Sequence, residues 1–263
     1  MKNNNEMSQN YANILQIKVS STSMLSVLAG VRENVAHNKK FFIVTPNPEI
    51  ILASTKNILL KEALSSADFS IPDGVGLSYA SKFLFGKSLN IIPGRILFEK
   101  LIELANKKGW KVFFLGGASG EAEKAAEKLK LNYKNIKIET FAGPKLGGNS
   151  VPVSELDRAL QKEAVARINK FEPQFLFVAF GHPKQEIWIY KNLKSLNIGG
   201  AMVVGGTFRY IAGIIPIPPK WMASLGLEWL WRLVTEPKRI GRIINASIIF
   251  PLRVFWFKVT NSL

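Results

Sequence analysis

Short apolar runs bounded by turns alternate along this chain with amphipathic helical segments. The runs are Phe41–Val44, Phe69–Ile71, Lys111–Leu115, Phe175–Ala179 and Ala201–Val204, and Lys137–Phe141 adds a further strand. Between them, helical periodicity spans Ile50 to Ala67, Val75–Phe85, Arg95–Lys107, a segment carrying Ala122, Ala125, Ala126 and Leu129, Ser154–Lys170, and the stretch that follows Lys184 through Leu196. Strands without polar alternation are buried on both faces, and regular strand–helix alternation covers both faces of a parallel sheet. The pattern predicts an α/β fold, a Rossmann-like parallel sheet with helices on both faces. Ile14–Val19 alternates as a half-buried strand and reads as the start of the first β–α step. Ser21 or Ser23 would then cap a helix with Leu25, Leu28, Val31 and Val35 on its inner face.

In such sheets ligands bind beyond the carboxyl ends of the strands. Thr45, Asp73, Gly116, Gln185 and Thr207 all follow strand ends closely and are expected to converge on one edge. Asp73 stands in Pro72-Asp73-Gly74-Val75-Gly76, where a rigid proline and two permissive glycines present a carboxylate on a firm turn. It reads as a general base, against the simpler reading of Asp-Gly as a turn dipeptide. The turn Gly116-Gly117-Ala118-Ser119-Gly120 could offer backbone N–H groups to a phosphate at a helix start, or serve helix packing alone. It is not a complete dinucleotide fingerprint.

Thirty-five Lys and Arg against 19 Asp and Glu give a formal net charge of +16, which calls for a polyanionic partner. With no cysteine, disulfides and thiolate metal sites are excluded. Residues 1–12 are Asn-rich and expected to be disordered, neither signal peptide nor anchor, with 13–213 the catalytic domain. After Gly213 the proline-rich stretch Ile214–Pro219 reads as a hinge into residues 214–263, a basic, aromatic appendage. There Trp221, Trp229, Trp231 and Trp256 interleave with Arg232, Arg239, Arg242 and Arg253. The apolar run Ile243–Val259, interrupted by Asn245, Pro251 and Arg253, suits an interfacial helix better than a spanning one. The alternative is a helical hairpin packed on the core.

Thr45-Pro46-Asn47-Pro48-Glu49, Pro72–Gly76, Gly181-His182-Pro183-Lys184-Gln185-Glu186, Gly205-Gly206-Thr207-Phe208 and the run from Glu228 to Arg242 form an ordered series. It resembles the WecG/TagA/CpsF family of bacterial glycosyltransferases over nearly the whole chain from about Tyr11. The resemblance implies inverting, metal-independent transfer of an N-acetylmannosaminyl-type or related sugar. The donor would be a UDP-sugar, the acceptor a polyprenyl-diphosphate-linked saccharide at the cytoplasmic membrane face, the product cell-surface polysaccharide. It implies Asp73 as the base, with Thr45 and Gln185 lining the active site. Asn47, Gly74, Gly116, Gly181, Gly206 and Thr207 complete the expected substrate contacts, and Arg232, Arg239 and Arg242 would meet the acceptor diphosphate. The chain departs from the family at Ile91 and Ile96, where an Arg and an Asp are usual, with Arg95 a candidate to compensate.

Inverting transfer needs one base for the acceptor hydroxyl and stabilisation of the departing diphosphate. No cofactor is expected, nor a metal, since no acid or histidine cluster is of the kind that holds a divalent ion. Arg side chains and helix N-termini would carry that charge instead. His182 reads as a structural hydrogen-bonder and His37 as a surface residue. A non-enzymatic nucleic-acid binder would also use the basic charge, with Trp and Arg as stacking partners, but has no need of Asp73 beside glycines. Nucleic acid is therefore not expected as a partner, and a homo-oligomer is compatible with the sequence.

Overall fold

The computed structural model describes residues 10–118, 120–219, 222, 228–235 and 240–261. Six parallel strands form the central sheet: β3 (Phe41–Val44), β4 (Phe69–Ser70), β5 (Lys111–Gly116), β6 (Lys137–Phe141), β7 (Phe175–Ala179) and β8 (Gly200–Val203), in the order β4-β3-β8-β7-β5-β6. Alternate side chains feed two cores. Phe42, Val44, Phe113, Leu115, Leu176 and Val178 point to one face, and Phe41, Ile43, Val112, Phe114, Phe175 and Phe177 to the other. Aromatic packing bridges strands on the second face: Phe41 of β3 lies edge-on to Phe175 of β7 across the intervening β8, with ring centroids 5.5 Å apart. A Cβ at Gly200 would lie 2.3 Å from the Phe41 ring, so the glycine makes room for it.

Helices α2 (Pro48–Ser54), α3 (Ile58–Ser65), α4 (Val75–Phe85), α7 (Glu155–Phe171) and α8 (Lys184–Asn192) contribute to the first core. Helices α1 (Met24–Ala36), α5 (Gly94–Lys108), α6 (Glu121–Asn132) and α9 (Thr207–Ile211) contribute to the second. The sequence boundaries hold to within a few residues for α4, α5, α7 and α8, while the sequence pattern does not mark the short α9. Ser23, not Ser21, caps α1, accepting from the Ser26 N–H at 3.1 Å. Leu25 is solvent-facing at 79% exposure, while Val27 and Val31 are the buried contacts. Leu28, Val31 and Val35 pack on the second core as expected, so Leu25 alone of the expected inner residues points outward.

The N-terminal expectation needs correction. Ile14–Val19 is not one strand of a β–α step: β1 (Asn10–Ile14) and β2 (Ile17–Ser21) form a separate antiparallel hairpin. Leu15 and Gln16 make its turn with φ of 48° and 69°. Type I′ hairpins need two such positive values and favour Asn and Gly there, so neither residue signals the turn. Residues 10–12, expected to be disordered, are paired strand; residues 1–9 lie outside the described residues.

At the other end, Glu228–Thr235 forms α10, and residues 240–261 form α11, helical throughout with a π segment at Asn245–Ile249. Pro251 has no N–H and its ring crowds the preceding turn, which accounts for the widening just before it. The Phe250 N–H accordingly reaches back to the Asn245 carbonyl. The interruptions do not break the helix: Ile240–Thr260 is a 21-residue helix long and apolar enough, by length and composition, to cross a membrane. The helix is thus longer than the apolar run Ile243–Val259 read from the sequence. Its inner face, through Phe250 and Val254, joins the first core beside α2 and α4.

Candidate active site

At the carboxyl edge of the sheet, three loops are stitched together by backbone hydrogen bonds. The Ile71 N–H donates to the Val44 carbonyl at 2.9 Å, the Asp73 N–H to the Pro46 carbonyl at 2.9 Å, and the Ile92 N–H to the Pro72 carbonyl at 3.0 Å. This brings the starts of α2, α4 and α5 around Thr45 and Asp73. The glycines make the approach possible. Gly74 has φ 101°, a region where side chains are strained, and a Cβ at Gly76 would lie 2.8 Å from the Pro48 ring. At Gly94 a Cβ would lie 3.1 Å from Thr45 Oγ1 and 3.3 Å from Asp73 Oδ2. The first turn of α5, whose backbone N–H groups form the positive end of that helix, therefore faces both side chains. Asp73 is partly exposed and Thr45 buried. Asn47, expected to touch substrate, caps α2, its Oδ1 accepting from the Ile50 N–H at 2.9 Å.

A second corner lies at the ends of β7 and β8. Gln185 is buried, and its amide bridges two segments: Oε1 accepts from the Gly205 N–H at 3.1 Å while Nε2 donates to Glu186 Oε1 at 3.0 Å. Both ends of the side chain are thus engaged in bracing the Gly205–Thr207 turn. Thr207, also buried, donates its hydroxyl to the Val204 carbonyl. Gly181, at φ 75°, and Gly206 are open: a Cβ at either would meet nothing within 4 Å among the described residues. Glu186 is fully buried, and burial pushes its carboxyl up to about 7, against the bond from Gln185, with the nearby Glu49 adding to the rise. Its Oε2 has no hydrogen-bond partner among the described residues and lies 3.9 Å from His182 Nδ1. Burial, with the nearby Arg242 guanidinium, lowers His182 to about 4, so its ring is neutral. Among the described residues His182 Nδ1 has no hydrogen-bond partner, so the expected structural hydrogen bond is not made there by any of them. Exposed His37 does bond at a helix end, to the Glu33 carbonyl.

Between β5 and β7 the connections leave in opposite directions, β5 outward to β6 and β7 inward to β8, which makes a crevice at a topological switch point. Gly116 sits on it, φ 91°, where a Cβ would lie 2.9 Å from the Ala179 backbone. In the following turn, Glu121 Oε2 accepts from the Ala118 N–H at 2.9 Å, and Glu121 Oε1 lies 3.4 Å from Arg209 Nε. An acidic side chain of the chain itself thus holds one donor of the expected phosphate turn. The two acid-X-acid spacings, Glu121/Glu123 and Glu155/Asp157, both fall in first turns of helices. Asp157 is engaged with Ser154 and the Lys145 N–H.

Of the appendage arginines, Arg242 is brought to the site, its Nε 3.3 Å from Glu49 Oε1. Arg239 and the Arg232 side chain lie outside the described residues, as does Trp221. Arg95 is paired with Glu99 at 2.7 Å along α5, and Ile91 packs on the first core. Sequence reasoning passed over Gly94 and Glu186. A Pro-Gly start to a helix without a capping side chain was the available signal for Gly94; an acid inside a short helix gave none for Glu186.

The sequence model of the glycosyl transferase WecG/TagA/CpsF family matches residues 12–262. A protein of Bacillus spizizenii named N-acetylglucosaminyldiphosphoundecaprenol N-acetyl-beta-D-mannosaminyltransferase is 34% identical over 209 residues, 79% of this chain and 76% of its own length. Its namesake in Bacillus subtilis is 33% identical over 77% of this chain and 75% of its own length. The one in Staphylococcus aureus is 30% identical over 95% and 92% respectively. The alternation of strands and helices, the Asp73 corner and these likenesses together establish that the chain belongs to the WecG/TagA/CpsF family of glycosyl transferases.

Proposed function

We infer that this glycosyltransferase moves an N-acetylmannosaminyl-type or related sugar from a UDP-sugar to a polyprenyl-diphosphate-linked saccharide, inverting the anomeric centre. The observation that carries the mechanism is the Asp73 corner: a partly exposed carboxylate beside Thr45, held by three stitched loops against the bare first turn of α5. Asp73 accepts the proton of the acceptor hydroxyl as that oxygen bonds to C1 of the sugar. The bond from C1 to the diphosphate oxygen breaks on the opposite face, and UDP leaves with the electron pair. The β5–β7 switch-point crevice of this Rossmann-like sheet suits the nucleotide, with Gly116, Gly181 and Gly206 leaving backbone accessible. The start of α5 and the appendage arginines Arg232, Arg239 and Arg242 balance the phosphate charge without a metal. Gln185 supports the site by holding the Gly205–Thr207 turn.

Residues 214–263 fit a peripheral membrane appendage to a catalytic unit of residues 13–213. On α11 the residues Ile240, Ile244, Ile248, Leu252, Phe255 and Val259, spaced three or four apart, are all exposed, and Trp256 beside them is 59% exposed. The opposite face is packed on the body, so the helix meets lipid while lying in the interface on the cytoplasmic side rather than crossing. The deciding experiment incubates the full chain with membranes bearing lipid-linked sugars and a panel of labelled UDP-sugars, with and without excess EDTA. Label from a UDP-N-acetylhexosamine should enter lipid at the same rate in both. Absence of transfer from any UDP-sugar, or a collapse with EDTA that Mg²⁺ restores, would remove the reading or its metal-free part.

A further inference from the structure

The membrane-facing helix borders a second polar feature, remote from the strand ends that form the active site. A cavity of about 360 Å³ is lined by Leu15 and Gln16 of the hairpin turn, Ser54, Thr55, Lys56, Ile58 and Lys61 of the α2–α3 region, and Arg253 and Phe257 of α11. It lies at the C-terminal end of α2. Because α2 leaves the carboxyl end of β3 and runs back along the sheet, this end is at the opposite edge from Asp73. Three cations reach the cavity, Lys56 and Lys61 from the α2–α3 region and Arg253 from α11, and none of the described lining residues is acidic. Lys61 is oriented by a hydrogen bond to Gln16. Among the described residues neither Lys56 nor Arg253 has an acidic partner, and both are exposed. Ile58 opens α3, so the positive end of that helix also borders the cavity.

Position on α11 points to the ligand. Arg253 shares a helical face with Ile249 at i−4 and Trp256 at i+3, both exposed, with exposed Leu252 beyond them and the core residues Phe250 and Val254 on its other side. A cation at the border between an exposed apolar face and the packed body lies at headgroup depth, where Trp and Arg are favoured. We propose that the Lys56, Lys61 and Arg253 cavity binds the phosphate of an anionic phospholipid whose acyl chains lie along the Ile249, Leu252 and Trp256 face. The lipid would fix how the molecule sits on the membrane, with the active-site edge at a set angle to the surface. The proposal rests on the interfacial reading of α11, so its test must separate the two.

The probe is dihexanoyl phosphatidylglycerol below its micelle concentration, which is soluble and needs no bilayer, titrated into the full-length protein by calorimetry. The triple variant Lys56→Glu, Lys61→Glu, Arg253→Glu should lose at least about tenfold in affinity, the equivalent of three charge-assisted contacts reversed. The control triple Lys107→Glu, Lys108→Glu, Lys134→Glu makes the same charge change on exposed residues elsewhere and should bind as the unaltered chain does. The milder Arg253→Gln should weaken binding measurably with an unchanged melting temperature, which guards against a folding defect in the triple variant. Equal binding by the pocket triple and the unaltered chain, or equal loss in both triples, would overturn the site. Inorganic phosphate binding as tightly as the short-chain lipid would overturn the lipid as its occupant. Sedimentation with phosphatidylglycerol vesicles, run beside it, reports on α11 itself: vesicle binding without short-chain lipid binding would leave the interfacial helix standing and dismiss the cavity.

Discussion

The two corners of the carboxyl edge are built from similar residues to different ends. At the β3–β4 corner the backbone does the holding: Asp73, Pro46, Pro72, Ile92 and Val44 are joined through N–H and carbonyl groups, and the side chains of Asp73 and Thr45 stand over the start of α5. At the β7–β8 corner the side chains do the holding. Gln185 bridges Gly205 and Glu186, and Glu186 is sealed from solvent with one oxygen unpartnered. A partly exposed carboxylate at a strand end can reach a substrate; a buried amide engaged at both ends shapes the surface that others use. On the proposed mechanism Asp73 takes part in the chemistry, while Gln185 and Glu186 support it.

The largest effect should come from Asp73→Asn. The substitution keeps the shape of the side chain and removes the proton acceptor, so turnover should fall by about 10²–10⁴-fold. UDP binding and melting temperature should stay close to those of the unaltered chain. Retention of most of the turnover would erase the distinction between the two corners.

Glu186→Gln should instead act on stability. The folded-state value of Glu186 is raised to about 7 from 4.5, so its contribution is fully present below pH 4.5 and is lost as pH rises through 7. His182 is lowered to about 4 from 6.5, so the folded protein gains stability as pH rises from about 4 to 6.5. The two slopes oppose each other between pH 4.5 and 6.5. Replacing Glu186 by Gln removes one of them and places an amide donor near the unpartnered His182 Nδ1. The variant should be more stable by roughly 2 kcal/mol at pH 8, with a melting temperature that climbs between pH 4 and 6.5 and is flat above. Melting curves across pH 4 to 8 decide it; an unchanged profile would mean that Glu186 is not the buried acid described. Turnover at pH 8 should change little, as befits a supporting residue.

Gly94→Ala probes the first corner by crowding. The added Cβ would press Thr45 Oγ1 and Asp73 Oδ2 by a few tenths of an ångström. A shift of that size at the reacting group should lower kcat by about tenfold with little change in stability. A Gly94→Ala enzyme of full activity would place the reacting atoms away from the start of α5.

The sequence carried the sheet because its buried strands are apolar on both faces and its helices repeat their inner residues; six strands and their helices fall where the pattern puts them. It also placed Thr45, Asp73, Gly116, Gln185 and Thr207 on one edge, since that follows from strand direction alone. What it could not carry was pairing between side chains. Gln185 looks like an exposed loop polar until its partners at Gly205 and Glu186 are seen. The β1–β2 hairpin stayed hidden because Leu15 and Gln16 adopt positive φ without the usual turn residues. The unbroken course of α11 past Pro251 depends on a π turn that no local propensity announces.

The smallest effect, and the one that links the corners to the appendage, concerns Arg242 and Glu49. Glu49 lies in the first turn of α2, two residues past Asn47, and its charge adds to the rise at Glu186, while the Arg242 guanidinium helps hold His182 down. The Arg242–Glu49 pair therefore sits between the two corners and ties α11 to both. Its side chains are 46% and 22% exposed, so solvent screening limits its contribution to stability to roughly 0.5 kcal/mol. A double-mutant cycle of Arg242→Ala and Glu49→Ala should give a coupling of that order in melting experiments, shrinking further in high salt. Transfer should respond unequally to the two single changes. Arg242→Ala removes a cation meant for the acceptor diphosphate and should raise KM for the lipid-linked acceptor. Glu49→Ala releases Arg242 from its only acidic partner among the described residues and should leave that KM unchanged or lower it. If both changes raise KM equally, the pair acts as a strut that positions α11, and Arg242 belongs with Gln185 among the supporting residues.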